Sequence, residues 1–183
     1  MEHICPVWVG YLLACPARKL AQSPQKILAS CVRDGDMVAD IGCAMGFFSV
    51  PMAQMVGETG RVICLDVQEK MLQKLRGRAE KAGVLDRLIV RQCLATDLQI
   101  RDMNEKIDFA LAFSVVHEVP DQNALFAQIV AALKRGGRLL ISEPKAHVSQ
   151  LAFARSVIAA KNSGLTVCAD LKIPKSRSVL MQK

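Results

Sequence analysis

From Met37 to Ile173, short apolar runs rich in β-branched residues alternate with longer segments of helical periodicity, and the connections are short. No other feature of the chain limits its fold as much. "MVADIG", "RVICLD", "RLIVRQC", "KIDFALAFSVV" and "RLLISEP" read as buried strands. "FFSVPMAQMV", "QEKMLQKLRGRAEKAGV", "NALFAQIVAALK" and "SQLAFARSVIAAKNSG" read as helices. In the second helix Met71, Leu72, Leu75, Ala79 and Ala82 recur at three-to-four spacing and form one apolar face. Strands that are apolar throughout need cover on both faces, and alternation with helices makes them parallel. "LTVCADLKI" and "SRSVLMQK", joined by a turn containing Pro174, break that rule and add an antiparallel strand. The expected fold is α/β, a doubly wound, mostly parallel seven-stranded sheet with an antiparallel last strand and helices on both faces.

Local signals refine the boundaries. Ser23 followed by Pro24 predicts a helix over "PQKILASCV", with the Ser23 hydroxyl as its cap. Pro51 must lie in the first turn of its helix. Gly136 and Gly137 are expected to stop the helix before the fifth strand, and Gly164 follows the last helix. Residues 23–183 then form one domain. Residues 1–22 read as a helical segment broken at Pro16, with Trp8 and Tyr11 on one face, and are expected to act as a lid.

Composition removes several classes. With 183 residues, 51% of them hydrophobic, the chain can bury one core and does not read as a disordered tail. The net charge of +7 is spread along the sequence without a dense basic block, so a solvated basic surface is expected rather than a nucleic-acid interface. The seven cysteines include no CxxC or CxxH pair, which points to reduced thiols and to no metal site. A thiol-rich arsenite site around Cys5, Cys15 and Cys43 has no spacing to support it. No run is long enough to span a bilayer. "LLAC" at Leu12–Cys15 resembles a lipoprotein cleavage site, but Met1–Trp8 carries no Lys or Arg. A cytoplasmic location is expected.

The ligand is suggested by "DIGCAMGFFSV", which joins the first strand to its helix. Open α/β sheets bind ligands beyond the carboxyl ends of their strands, beside this turn. A dinucleotide loop would read GxGxxG. Here Gly42, Cys43, Ala44, Met45 and Gly46 lack the third glycine, and Asp40 stands two residues before the loop. A pyrophosphate gains nothing from that carboxylate, whereas an ammonium or sulfonium does. Asp66, at the end of the second strand, is placed to accept both protons of a ribose diol.

With these residues the sequence resembles the class I S-adenosylmethionine-dependent methyltransferases over about residues 26 to 183. "DIGCAMG" is similar to the family's first motif, with Ala44 in place of the usual middle glycine. Asp66 matches the acid ending the second strand, and "CLATDL" the adenine-contacting segment, with Leu94 where many members carry an acid. "FALAFSVVHEVPD" and "ALKRGGRLLISEP" match the motifs around strands four and five. The resemblance implies S-adenosylmethionine as cofactor, with Asp40, Gly42, Cys43, Ala44, Gly46, Asp66, Val67, Leu94, Ala95, Phe113 and Ser114 around it.

Methyl transfer from a sulfonium needs alignment, and a base if the nucleophile must lose a proton. His117 and Glu118 follow the fourth strand and are the candidate catalytic residues. Their competing reading is a loop before the helix capped by Asp121. Glu143, Lys145 and His147 are expected beyond the fifth strand on the same rim, as exposed loop charges or, alternatively, as contacts for polar groups of the substrate. The expected activity is methylation of a small-molecule acceptor. RNA methylation and a noncatalytic S-adenosylmethionine-binding subunit are the alternatives, and a nicotinamide dehydrogenase fits the loop worst. Neither an Asn/Asp-Pro-Pro-aromatic motif nor a Pro-Cys pair, the marks of RNA base methylation, is present.

Overall fold

The computed structural model describes residues 22–183, and the chain divides after Cys93 into two compact units. The lid expected over residues 1–22 falls, but for Gln22, outside the described residues, as do Cys5, Trp8, Tyr11 and Cys15.

In the first unit, α1 (Pro24–Leu28) leads to β1 (Met37–Ile41), α2 (Ser49–Met55), β2 (Arg61–Asp66), α3 (Glu69–Lys81) and β3 (Leu88–Gln92). The three strands are parallel in the order β3-β2-β1, with Asp40 beside Cys64 and Asp66 beside Gln92. Burial of Val62 through Leu65 on both faces accounts for the unbroken apolar run of β2. Met71, Leu72, Leu75 and Ala79 form the buried face of α3, as the periodicity requires. Ala82 does not join them. It is the C-cap, and it is exposed because the apolar stripe ends one turn earlier.

Helix α1 is shorter than expected, and the Ser23 hydroxyl does not cap it. That hydroxyl donates instead to Gln25 Oε1 at 3.4 Å. After Leu28 the chain tightens into turns, with Cys31 N–H donating to Leu28 C=O at 2.8 Å. Pro51 is the third residue of α2, where its missing N–H costs no helical bond.

The second unit holds β4 (Ile107–Phe113), α4 (Gln122–Ala132), β5 (Leu133–Pro144), α5 (Gln150–Asn162), β6 (Thr166–Asp170) and β7 (Ser176–Gln182). Their order is β4-β5-β7-β6, with β7 antiparallel to both neighbours. With seven strands among the described residues, parallel within each unit apart from β7, the class is the expected doubly wound α/β sheet with an antiparallel last strand. Asp121 caps α4, its Oδ1 accepting from Ala124 N–H at 3.0 Å, and Ser149 caps α5 in the same way.

Gly136 and Gly137 do not stop α4, which ends at Ala132 with β5 beginning at once. They serve a bulge. Ile107 pairs with Leu133 and Phe109 with Arg138, so β5 carries extra residues there. Gly136 has φ +78°, and a Cβ on Gly137 would lie 2.8 Å from the Lys134 carbonyl oxygen and 3.0 Å from that of Ile107. Among the described residues no helix is long and apolar enough to cross a membrane.

Candidate functional site

The loop after β1 is pinned to the end of β2. Gly42 and Cys43 both donate their N–H groups to the Leu65 carbonyl, at 2.8 and 2.9 Å. Ala44 N–H donates to Asp66 Oδ2 at 2.8 Å, and Gln68 N–H donates to Asp66 Oδ1 at 2.8 Å. The Val67 N–H also bonds this carboxylate, so three backbone N–H groups fix its position. Asp66 is only 8% exposed, and burial raises its carboxyl above the ordinary range while these N–H bonds oppose the rise. The result is a rigid double acceptor, suited to a vicinal diol.

Ala44 takes the left-handed conformation that the usual glycine would adopt, at φ +45°. Gly46 has no such latitude. It has φ +78°, and a Cβ there would come within 2.1 Å of Leu75 Cδ1 on α3. The second glycine of the loop therefore lets the loop lie against the helix face. Val67 follows Asp66, half-buried, and its carbonyl accepts from Gln92 Nε2 at 3.0 Å.

Asp40 is 3% exposed and accepts from Ser49 Oγ at 2.5 Å. Burial pushes its carboxyl up to about 7, with the Ser49 hydrogen bond working against that rise and the Asp66 charge adding to it. A nearby cation would bring this group back to its ionised form. Cys43 is buried, and burial together with the neighbouring Cys64 thiol raises its own thiol, so it is an inert packing group. Among the described residues no group of His, Cys, Asp and Glu could hold a metal ion.

In the second unit Leu94 and Asp97 close a tight turn through Leu94 N–H to Asp97 C=O at 2.9 Å and the reverse bond at 3.2 Å. Leu94 is 57% exposed, and Ala95 is half-buried at the tip of that turn. An exposed leucine held by a turn offers an apolar surface to a flat ring. At the end of β4, Phe113 is buried, and Ser114 has φ +59° with its N–H donating to Ser142 C=O at 2.7 Å.

The sequence reading failed at Glu143. It is no exposed loop charge: it lies inside β5 with no exposure at all. Its Oε1 accepts from Val116 N–H at 2.8 Å, and its Oε2 meets His117 Nδ1 in a short hydrogen bond. That bond raises the His117 pKa above its ordinary value, against the opposing effect of burial. Glu118 Oε1 lies 4.0 Å from His117 Nε2, outside hydrogen-bond range. The short turn Val116–Glu118 presents this ring, and Lys145 and His147 are exposed as expected. The missed signal was a charge inside an apolar strand run, which only a buried partner makes tolerable. With its Nδ1 held by a carboxylate, the imidazole is arranged to take up a proton at Nε2.

Residues 33–178 match the family model described as "Methyltransferase domain". Among curated proteins, the chain is 31% identical over 110 residues to a probable cobalt-precorrin-6B C(15)-methyltransferase (decarboxylating) of Saccharolobus solfataricus. That match covers 60% of this chain and 53% of the relative. It is 32% identical over 112 residues to the ubiquinone/menaquinone biosynthesis C-methyltransferase UbiE of Haemophilus ducreyi, covering 61% and 42% respectively. The chain thus spans about half the length of these relatives. Among solved structures, a SAM-dependent methyltransferase from Aquifex aeolicus superposes with a TM-score of 0.87 at 20% identity, covering 98% of this chain and 100% of that one.

Proposed function

The chain belongs to the methyltransferase-domain family, and from that premise we propose that its methyl acceptor is a small molecule. As a member it is an enzyme, a methyltransferase whose cofactor is S-adenosylmethionine. When bound, that cofactor supplies a methyl group already activated on a sulfonium.

The observation that carries the reading is Asp66, buried at the end of β2 and held as an acceptor by the N–H groups of Ala44, Gln68 and Val67. We assign it to the ribose diol. Asp40 is assigned to the positive end of the cofactor, and Gly42, Cys43, Ala44, Gly46 and Val67 supply backbone around it. Leu94 and Ala95 are assigned to the adenine by apolar contact, with Phe113 and Ser114 following on the family's motif. The donor set fits the cofactor: carboxylates for hydroxyls and a cation, and an exposed apolar turn for a ring. For the transfer itself, the chain's residues align the acceptor with the sulfonium and exclude water.

A small-molecule acceptor is supported by the names of the relatives, both of which are C-methyltransferases of biosynthetic compounds. The dispersal of the +7 charge also supports it over RNA, as does the absence of the RNA-base motifs. Incubation with methyl-labelled S-adenosylmethionine and separated cell fractions tests this reading. Label should appear in the low-molecular-weight fraction, and label appearing only in RNA would overturn it.

A further inference from the structure

The chemistry of the acceptor can be read one step further from the pair buried between β5 and the turn after β4. Glu143 is a full carboxylate inside a strand, which costs stability unless every oxygen is matched. One oxygen takes the Val116 N–H at 2.8 Å, and the other is given over to a single titratable ring. Simple structural duty would be met by a neutral side chain. A carboxylate aimed at Nδ1 instead does two specific things. It fixes the neutral ring with its proton on Nδ1 and the lone pair on Nε2, and it stabilises the imidazolium formed when Nε2 takes a proton.

We propose that Glu143 is a positioning residue that makes His117 Nε2 the proton acceptor of the reaction, so that the substrate arrives with its nucleophilic group still protonated. This rests on the methyltransferase reading above. The acceptor class is then a phenol, an enol or an acidic C–H, not a thioether or a neutral amine whose electron pair is already available. In the step, the acceptor's X–H bond breaks and an N–H bond forms at Nε2. The electron pair stays on the acceptor and makes the bond to the methyl carbon, while the S–CH3 bond would break with its pair going to sulfur and S-adenosylhomocysteine would leave. The ring becomes an imidazolium against Glu143 and later returns its proton to water.

Among the described residues, two other titratable groups lie near this ring. Glu118 Oε1 lies 4.0 Å from Nε2, and the His147 ring packs edge-on with its centroid at 6.3 Å. Glu118 favours the protonated ring, as Glu143 does. The base must therefore be active only as the pH rises through a pKa above the ordinary histidine value of 6.5.

Glu143→Gln is the discriminating variant. The Val116 N–H claims the amide oxygen, so the amide NH2 must face Nδ1. The ring then has to accept at Nδ1 and carry its proton on Nε2, which abolishes the base. In full-length protein with S-adenosylhomocysteine added, nitrogen-15 NMR of the His117 ring should show a protonated Nδ1 in the neutral wild type. It should show a protonated Nε2 and a lowered pKa in Glu143→Gln. With 1,4-dihydroxynaphthalene as probe, whose O–H loss activates both oxygen and ring carbon, kcat should fall by about 100-fold or more while KM changes little. The rise of rate with pH seen in the wild type should disappear. His117→Gln, which leaves Glu143 its backbone partner, should lose the same rise and guards against a folding defect in the first variant. An unchanged tautomer, or a pH–rate profile that survives either substitution, overturns the proposal. Calorimetric titration of S-adenosylmethionine into each protein separates the two readings, since failure to bind counts against the methyltransferase assignment and leaves the NMR result standing.

Discussion

Asp66 in β2 and Glu143 in β5 are both buried carboxylates, and each accepts a backbone N–H at 2.8 Å. They differ in the second oxygen. Asp66 gives it to another backbone group, Gln68 N–H, so the whole side chain is fixed as an acceptor. Glu143 gives it to a ring that titrates. On the reading proposed above, one carboxylate holds hydroxyls and the other is coupled to a proton. The partner, rather than the burial, decides which role a buried acid can play.

The loop beside Asp66 is where that contrast should break most severely. Gly46→Ala adds a Cβ 2.1 Å from Leu75 Cδ1 in a left-handed backbone, so both overpacking and backbone strain apply. A loss of about 2–5 kcal/mol in denaturant unfolding is expected, with cofactor binding lost alongside. Stability within about 0.5 kcal/mol of wild type would show that the loop does not depend on this contact.

Asp66→Ala removes the acceptor itself. Charge-assisted bonds are worth about 1.5–3 kcal/mol each, so cofactor affinity should drop at least tenfold, roughly. The His117 titration should not move, because Asp66 is not among the groups that shift it. An unchanged affinity in a folded variant would remove Asp66 from the binding site.

Proton dependence sharpens the comparison further, because Asp40 is read through ligand affinity and His117 through stability and rate. With its carboxyl raised to about 7, Asp40 is protonated in more acidic solution and has no charge to offer a cation. S-adenosylmethionine affinity, measured calorimetrically, should weaken as pH falls through 7, by up to about tenfold per unit. Flat affinity between pH 5.5 and 8 would contradict this. His117 is read through stability. Its folded pKa lies above the unfolded 6.5, so the pairing with Glu143 stabilises fully below 6.5 and is lost as pH rises through the folded value. The stability gap between wild type and His117→Gln should therefore close towards pH 9, while activity grows in the same range.

The smallest effect is expected at Ala44. Glycine would relieve about 1–2 kcal/mol of left-handed strain but return about 0.4–1 kcal/mol of unfolded-chain entropy. Ala44→Gly should gain less than about 1.5 kcal/mol in unfolding free energy, with no loss of cofactor affinity.

The strand ends and the loop that carry Asp40 and Asp66 were legible in the sequence, and the pairing of Glu143 was not, for a physical reason. Strand alternation, Asp40, the Gly42–Gly46 loop and Asp66 are local: each lies within a few residues of the strand end that gives it meaning. Glu143 acquires its role from His117, 26 residues earlier in the chain, and no periodicity connects them. Gly136 and Gly137 misled for a similar reason, since two glycines after an apolar helix signal a stop as readily as a bulge, and only the pairing of β4 with β5 distinguishes them. Ser23 carried the composition of a cap, yet its hydroxyl turned to Gln25.

The central claim is that the loop between two acids holds an S-adenosyl compound and not a dinucleotide. Isothermal titration of S-adenosylmethionine, S-adenosylhomocysteine and NAD into the full-length protein at pH 8 tests it directly. The two S-adenosyl compounds should bind and NAD should produce no saturable heat, whereas NAD binding without S-adenosylmethionine binding would contradict the account.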